Sequence, residues 1–117
     1  MNILVTNNPM AETLSSGSLR IEYLDTDLPG VLTRVRDYIH KGHRLLTHPL
    51  SGSVKPNETL YKSIMISGEQ GKTEPQSVVI IEESIQAAQK FPQKEIPDRY
   101  LLDLQTVDLS FFSEYFS

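Results

Sequence analysis

The sequence predicts a single layered α/β domain, with a mixed, partly parallel sheet of about five strands flanked by two main helices. Three observations carry this expectation. Short β-prone runs alternate with helical runs along the chain. The clearest helical periodicity, Leu28, Leu32, Val35 and Ile39, lies between strand-like segments. A length of 117 residues allows one hydrophobic core and is too small for two ordinary ones.

The elements follow in order. Residues 3–6 are apolar and β-prone and read as a buried strand, bounded by the turn Asn7-Asn8-Pro9. Residues 9–14 suit one or two helical turns. Residues 19–24 alternate, with Leu19, Ile21 and Tyr23 on one face and Arg20, Glu22 and Leu24 on the other, giving a second strand with a polar side. After Asp25-Thr26-Asp27 comes a helix over about residues 28 to 41, with Asp27 as N-cap, Pro29 in the first turn, and Gly42 just past His40 and Lys41. Residues 44–47 read as a short third strand and 61–67 as a fourth, followed by a turn over 68–72. Thr73-x-x-Gln76 resembles a capping box, and Val78, Ile81, Ile85 and Ala88 keep helical spacing up to Phe91-Pro92; the β-branched run Val78-Val79-Ile80-Ile81 also suits a strand. A polar linker then leads to a last strand over residues 100–107 and a short aromatic tail helix over 109–116.

Composition narrows function. Eleven basic and fifteen acidic residues give a net charge of −4, and no segment gathers Lys and Arg into a stripe, so nucleic acid is not an expected partner. The absence of cysteine removes disulfides, thiolate nucleophiles and Cys-ligated metal sites. The amino terminus lacks the basic flank and length of a signal peptide and no apolar run approaches a membrane span, so the expected compartment is the cytoplasm, with no membrane partner.

Where strands run parallel, their carboxyl ends share one edge, and open α/β sheets bind ligands there. Four polar clusters fall at predicted strand ends: Asn7-Asn8, Asp25-Thr26-Asp27, Thr47-His48 and Thr106 with Asp108. Between the third and fourth strands lies a turn-rich stretch, THPLSGSVKPNETLYKS, that is long for a connector in so small a chain. Ser51, Gly52 and Ser53 with Lys55 supply hydroxyls, approachable backbone amides and a cation, the parts of an anion cradle. The spacing is not that of a P-loop, because Lys55 is followed by proline. A ligand pocket built from Thr47, His48, Ser51, Gly52, Ser53, Lys55 and Asn57, with Asn7 and Asn8 as its other wall, is the expected site. The plain alternative is a connector whose Ser and Asn side chains satisfy their own backbone.

Two catalytic chemistries are weaker. His40, His43 and His48 cluster in sequence but straddle the helix end at Gly42, so no metal site is expected. His48 with Ser51 or Ser53, oriented by Asp25 or Asp108, would suit a small hydrolase or transferase, but no nucleophile elbow is present. Phe111, Phe112, Tyr115 and Phe116 either complete the core or form a partner or dimer surface.

The stretch IHKGHRLLTHPLSGSVKPNETLYKSIMIS resembles the middle of the GrdX family, and ILVTNNP and VVIIEESIQAA are similar to that family as well. These are small proteins encoded with the glycine, sarcosine and betaine reductases of amino-acid-fermenting anaerobic bacteria. The resemblance implies association with a selenoprotein pathway that uses a thioredoxin-type reductant and forms acetyl phosphate; it implies no particular reaction or cofactor. Without cysteine the chain cannot carry thiols directly. Three readings follow: an accessory protein binding a small anion or a glycine reductase component through residues 47–59, an enzyme using His48, or a scaffold contacting its partner through the aromatic tail or a sheet edge.

Overall fold

The structure is a computed structural model that describes residues 1–50, 59–91 and 93–116. Its sheet has the order β2-β1-β3, built from β1 (Asn2–Thr6), β2 (Leu19–Tyr23) and β3 (Ser63–Ile66). β1 runs parallel to β2, with Leu4 opposite Ile21, and antiparallel to β3, with Leu4 opposite Met65. A parallel return needs a crossover of about a dozen residues. Here residues 7–18 provide it, with a 3₁₀ turn at Pro9–Thr13 that Asn8 caps by accepting the Met10 amide at 3.0 Å.

Among the described residues three α-helices cover the sheet: α1 (Leu28–His40), α2 (Pro75–Lys90) and α3 (Leu101–Ser110). The expected first helix is present. Its N-cap Asp27 accepts the Gly30 amide at 3.0 Å, and the row Leu28, Leu32, Val35 and Ile39 is buried. That row packs with Ile3, Val5, Ile64, Ile66 and Ile81 in one core layer. The opposite face of the sheet, Leu4, Leu19 and Met65, packs under Ala11, Leu109 and Phe112. Successive strand residues point to opposite faces, so central β1 is buried on both sides and carries the apolar run legible in the sequence.

The sheet corrects the expectation of about five strands to three among the described residues. Residues 44–47 form only a single antiparallel bridge, Leu45 to Ile66. Side chains interrupt the ladder there: Ser67 Oγ, not its carbonyl, takes the Arg44 amide at 2.8 Å, and Thr47 Oγ1, not a carbonyl, takes the Met65 amide at 3.0 Å. Residues 100–107 are largely α3 rather than a last strand, which makes three main helices rather than two. Leu101, Leu102 and Leu104 are strong helix formers, and the helix carries apolar residues on both its inner and outer sides, which hides its period. The tail is the end of α3 plus a 3₁₀ turn at Ser113–Tyr115. At α2 the capping box does not form: the N-cap is Glu74, and the Thr73 hydroxyl donates to the His40 carbonyl instead.

Candidate functional site

Asn7 organises the carboxyl end of the sheet. Its Nδ2 donates to the carbonyls of Thr26 at 2.9 Å and Leu60 at 2.7 Å, and its Oδ1 accepts the Lys62 amide at 2.8 Å. One side chain thus ties together the end of β1, the turn between β2 and α1, and the approach to β3. Above this junction opens a hollow of about 610 Å³, with Tyr23, Asp25, Asp27, Leu28, Tyr61 and Phe91 among its lining residues. It sits at the strand-end edge where the sequence places a ligand site, and within the usual volume range of small-molecule pockets.

The lining combines aromatic surface with negative charge. Asp25 and Asp27 stand exposed on the rim, and no Lys or Arg is among the described lining residues. Burial, with the nearby carboxylates of Asp25 and Glu12, pushes the Tyr23 phenol up from its ordinary value. Tyr61 is held from behind, its hydroxyl accepting from Gln105 Nε2 at 3.0 Å.

The remaining expected site residues divide. Asn8 turns away from the hollow: its Nδ2 donates to the Gln105 carbonyl at 2.9 Å and to Asp108 Oδ2 at 3.0 Å. Thr47 bonds to β3 through its hydroxyl, and exposed His48 accepts the Leu50 amide at Nδ1, 3.1 Å away. Ser51, Gly52, Ser53, Lys55 and Asn57 lie outside the described residues. The structure therefore joins Asn7 to the Asp25-Thr26-Asp27 cluster, while Asn8 joins Asp108 on the other side of β1.

That second junction is a buried polar network absent from the sequence reading. Asp108 accepts the Ser63 amide at 3.0 Å and the Ser63 hydroxyl at 2.6 Å. With its proton committed to Asp108, Ser63 Oγ accepts from the Thr6 hydroxyl at 2.7 Å, and Thr6 Oγ1 accepts the Asn8 amide at 3.0 Å. Neighbouring Lys62 is half-buried, and desolvation draws its ammonium below the ordinary lysine range against the opposing pull of Asp108. Asp108 here fixes α3 to the sheet.

The histidines serve separate neighbours. His43 Nδ1 donates to the Ser67 carbonyl at 2.7 Å and its ring meets Tyr38 edge-on, whereas His40 lies 4.0 Å from Glu82. Among the described residues no three His, Asp or Glu side chains gather where they could hold a metal ion. Sequence reading also missed Tyr23, Tyr61 and Phe91 as lining. Their signal was weak, because each sits beside a predicted strand or helix end rather than in a motif.

The family model described as GrdX-like protein matches residues 3–117. No curated protein and no solved structure matches the chain.

Proposed function

We propose that this chain, which belongs to the GrdX-like protein family, is an accessory binding protein that holds a small amine-bearing ligand, such as an amino acid, at the carboxyl ends of β1 and β2. The observation that carries this reading is the hollow of about 610 Å³, walled in part by Tyr23, Tyr61 and Phe91 and rimmed by Asp25 and Asp27. Carboxylates attract an ammonium group, and aromatic faces take either its charge or an apolar body. An amino acid also carries a carboxylate. Ser51, Gly52, Ser53 and Lys55 have the composition to receive that group, as they would a phosphate. No catalytic role is assigned to His48.

Calorimetric titration tests the reading. The ligands would be a series of amino acids beginning with glycine, together with phosphate and acetyl phosphate. Binding of an amino acid should weaken about tenfold in Asp25→Asn, a loss of one charge-assisted contact. Lys55→Ala should weaken the same ligand through its carboxylate. Equal binding to wild type and Asp25→Asn, or no amino-acid binding at all, would leave the scaffold reading in its place.

One observation favours that second reading, docking to a larger protein such as a glycine reductase component. Along α3 and its flanks, Leu102 is 64%, Phe111 56% and Val107 39% exposed, a large apolar outlay for one short helix. Leu102→Asp should abolish co-sedimentation with reductase subunits while leaving amino-acid binding unchanged.

A further inference from the structure

The two edges of the sheet are treated differently. The outer edge of β3 is covered: the Leu46 amide donates to the Met65 carbonyl at 2.9 Å, and the Ser67 amide donates to the Arg44 carbonyl at 2.9 Å. The outer edge of β2 has no such cover among the described residues. Its phase follows from one bond, the Leu24 amide donating to the Thr6 carbonyl at 2.8 Å. In a strand, alternate residues present their backbone groups to alternate sides. Arg20, Glu22 and Leu24 therefore bond toward β1, and Leu19, Ile21 and Tyr23 present theirs outward. Of these, the Leu19 amide is taken by Ser16 Oγ at 3.0 Å. The amides of Ile21 and Tyr23 and the carbonyls of Leu19, Ile21 and Tyr23 face away from the sheet. An open edge of this kind is a template for another strand.

We propose that this edge pairs with β2 of a second copy of the chain, antiparallel across a two-fold axis at Ile21, making one continuous sheet through both subunits. The register is selected by charge. Arg20 and Glu22 share the face that carries α1, with Ile21 between them. With the axis at Ile21, Arg20 stands opposite Glu22 of the partner subunit, and Glu22 opposite Arg20 of the partner subunit. Shifting the axis by one residue in either direction sets Arg20 against its own copy or Glu22 against its own copy, and directly opposed like charges are destabilising. It also breaks the hydrogen-bond phase, because Arg20 and Glu22 already spend their backbone groups on β1.

The Ile21 axis satisfies both demands at once. Ile21 and Ile21 of the partner subunit form a hydrogen-bonded pair that exchanges two amide bonds, and each Tyr23 amide reaches the carbonyl of Leu19 of the partner subunit. The Leu19 amide, held by Ser16, is not required. On the opposite face, half-buried Ile21 and Tyr23 gain apolar cover from their counterparts. Glu22 is also held ready: Arg34 grips it through Nε at 3.0 Å and Nη2 at 3.2 Å, so its carboxylate stays extended beside the edge.

Sedimentation equilibrium on the full chain, from micromolar to millimolar concentration, tests the pairing together with amide hydrogen exchange. The wild type should dimerise, and the Ile21 and Tyr23 amides should gain protection as concentration rises, while the Arg20 and Glu22 amides, bonded to β1, stay protected throughout. Arg20→Glu places like charges opposite each other twice, and should raise the dimer dissociation constant by roughly tenfold or more. Arg20 is exposed, and circular dichroism of the variant should match wild type. A monomer over the whole range would overturn the proposal. So would a dimer in which the Ile21 and Tyr23 amides exchange at a rate independent of concentration.

Discussion

The carboxylate of Asp108 receives both the hydroxyl and the backbone amide of Ser63, at 2.6 and 3.0 Å, and through that pair α3 is fastened to the first residue of β3. Asn8 adds a third donor at 3.0 Å. A buried carboxylate is tolerated only when such donors replace the water it has lost. The arrangement is one-sided, with donors surrounding an acceptor.

Asp108→Asn should therefore be costly despite its near-identical shape. Its amide nitrogen would face a donor, and the loss should be about 2–4 kcal/mol by urea denaturation. Exposed Asp103→Asn on the same helix is the control and should change stability by less than about 0.5 kcal/mol.

Asn7→Asp should destabilise by about 2–3 kcal/mol, because a carboxylate cannot donate to the Thr26 and Leu60 carbonyls and would repel both. Equilibrium unfolding checks the magnitude. Limited proteolysis should show earlier cleavage near residues 24–27 and 59–62, the two segments that Asn7 joins.

Acid should remove the contribution of Glu22. Burial raises its pKa, but the hydrogen bonds from Arg34 and Tyr38, the latter at 2.6 Å, together with the charges of Arg34 and Arg20, outweigh burial and bring it below the ordinary 4.5. A depressed native pKa stabilises the fold above the unfolded value, and the contribution is lost as pH falls through the native one. Arg34 also lies over the Tyr38 ring at 4.4 Å, so the three side chains act as a unit. Glu22→Gln should cost about 0.5–1 kcal/mol at neutral pH, a partly solvated pair. It should flatten the acid limb of a stability profile measured by denaturant unfolding.

Gly42 ends α1 with a φ of 104°, and a Cβ there would run into the carbonyl oxygen of Gly71, whose amide bonds back to the Gly42 carbonyl at 3.0 Å. Gly42→Ala should lower stability by about 2–3 kcal/mol, since backbone strain and a backbone collision act together. Gly17→Ala meets nothing within 4 Å and should be neutral or slightly stabilising when both variants are compared with wild type by thermal unfolding.

Periodicity was enough to read α1 and β2 from the chain, because each buries a row of side chains at the repeat of its own backbone, and a continuous apolar run marked β1; at α2 helical spacing was legible, but the run 78–81 left a strand open. The row Leu28, Leu32, Val35 and Ile39 needed no neighbour to be recognised. The turn clusters Asn7-Asn8 and Asp25-Thr26-Asp27 were legible in the same way, as polar groups closing apolar strands. Packing decided the rest. Whether residues 44–47 became a strand depended on side chains taking the ladder bonds, Ser67 Oγ the Arg44 amide and Thr47 Oγ1 the Met65 amide. Residues 100–107 coil into α3, and only the folded sheet supplies the partners that hold that helix, Ser63 and Asn8 at Asp108. Tyr23 and Tyr61 became walls of one hollow only when Asn7 drew three segments together, and Phe91 joined them from the end of α2. A short apolar run buries well in either conformation, so its local energies nearly cancel, and a hydrogen bond to a distant partner settles the choice.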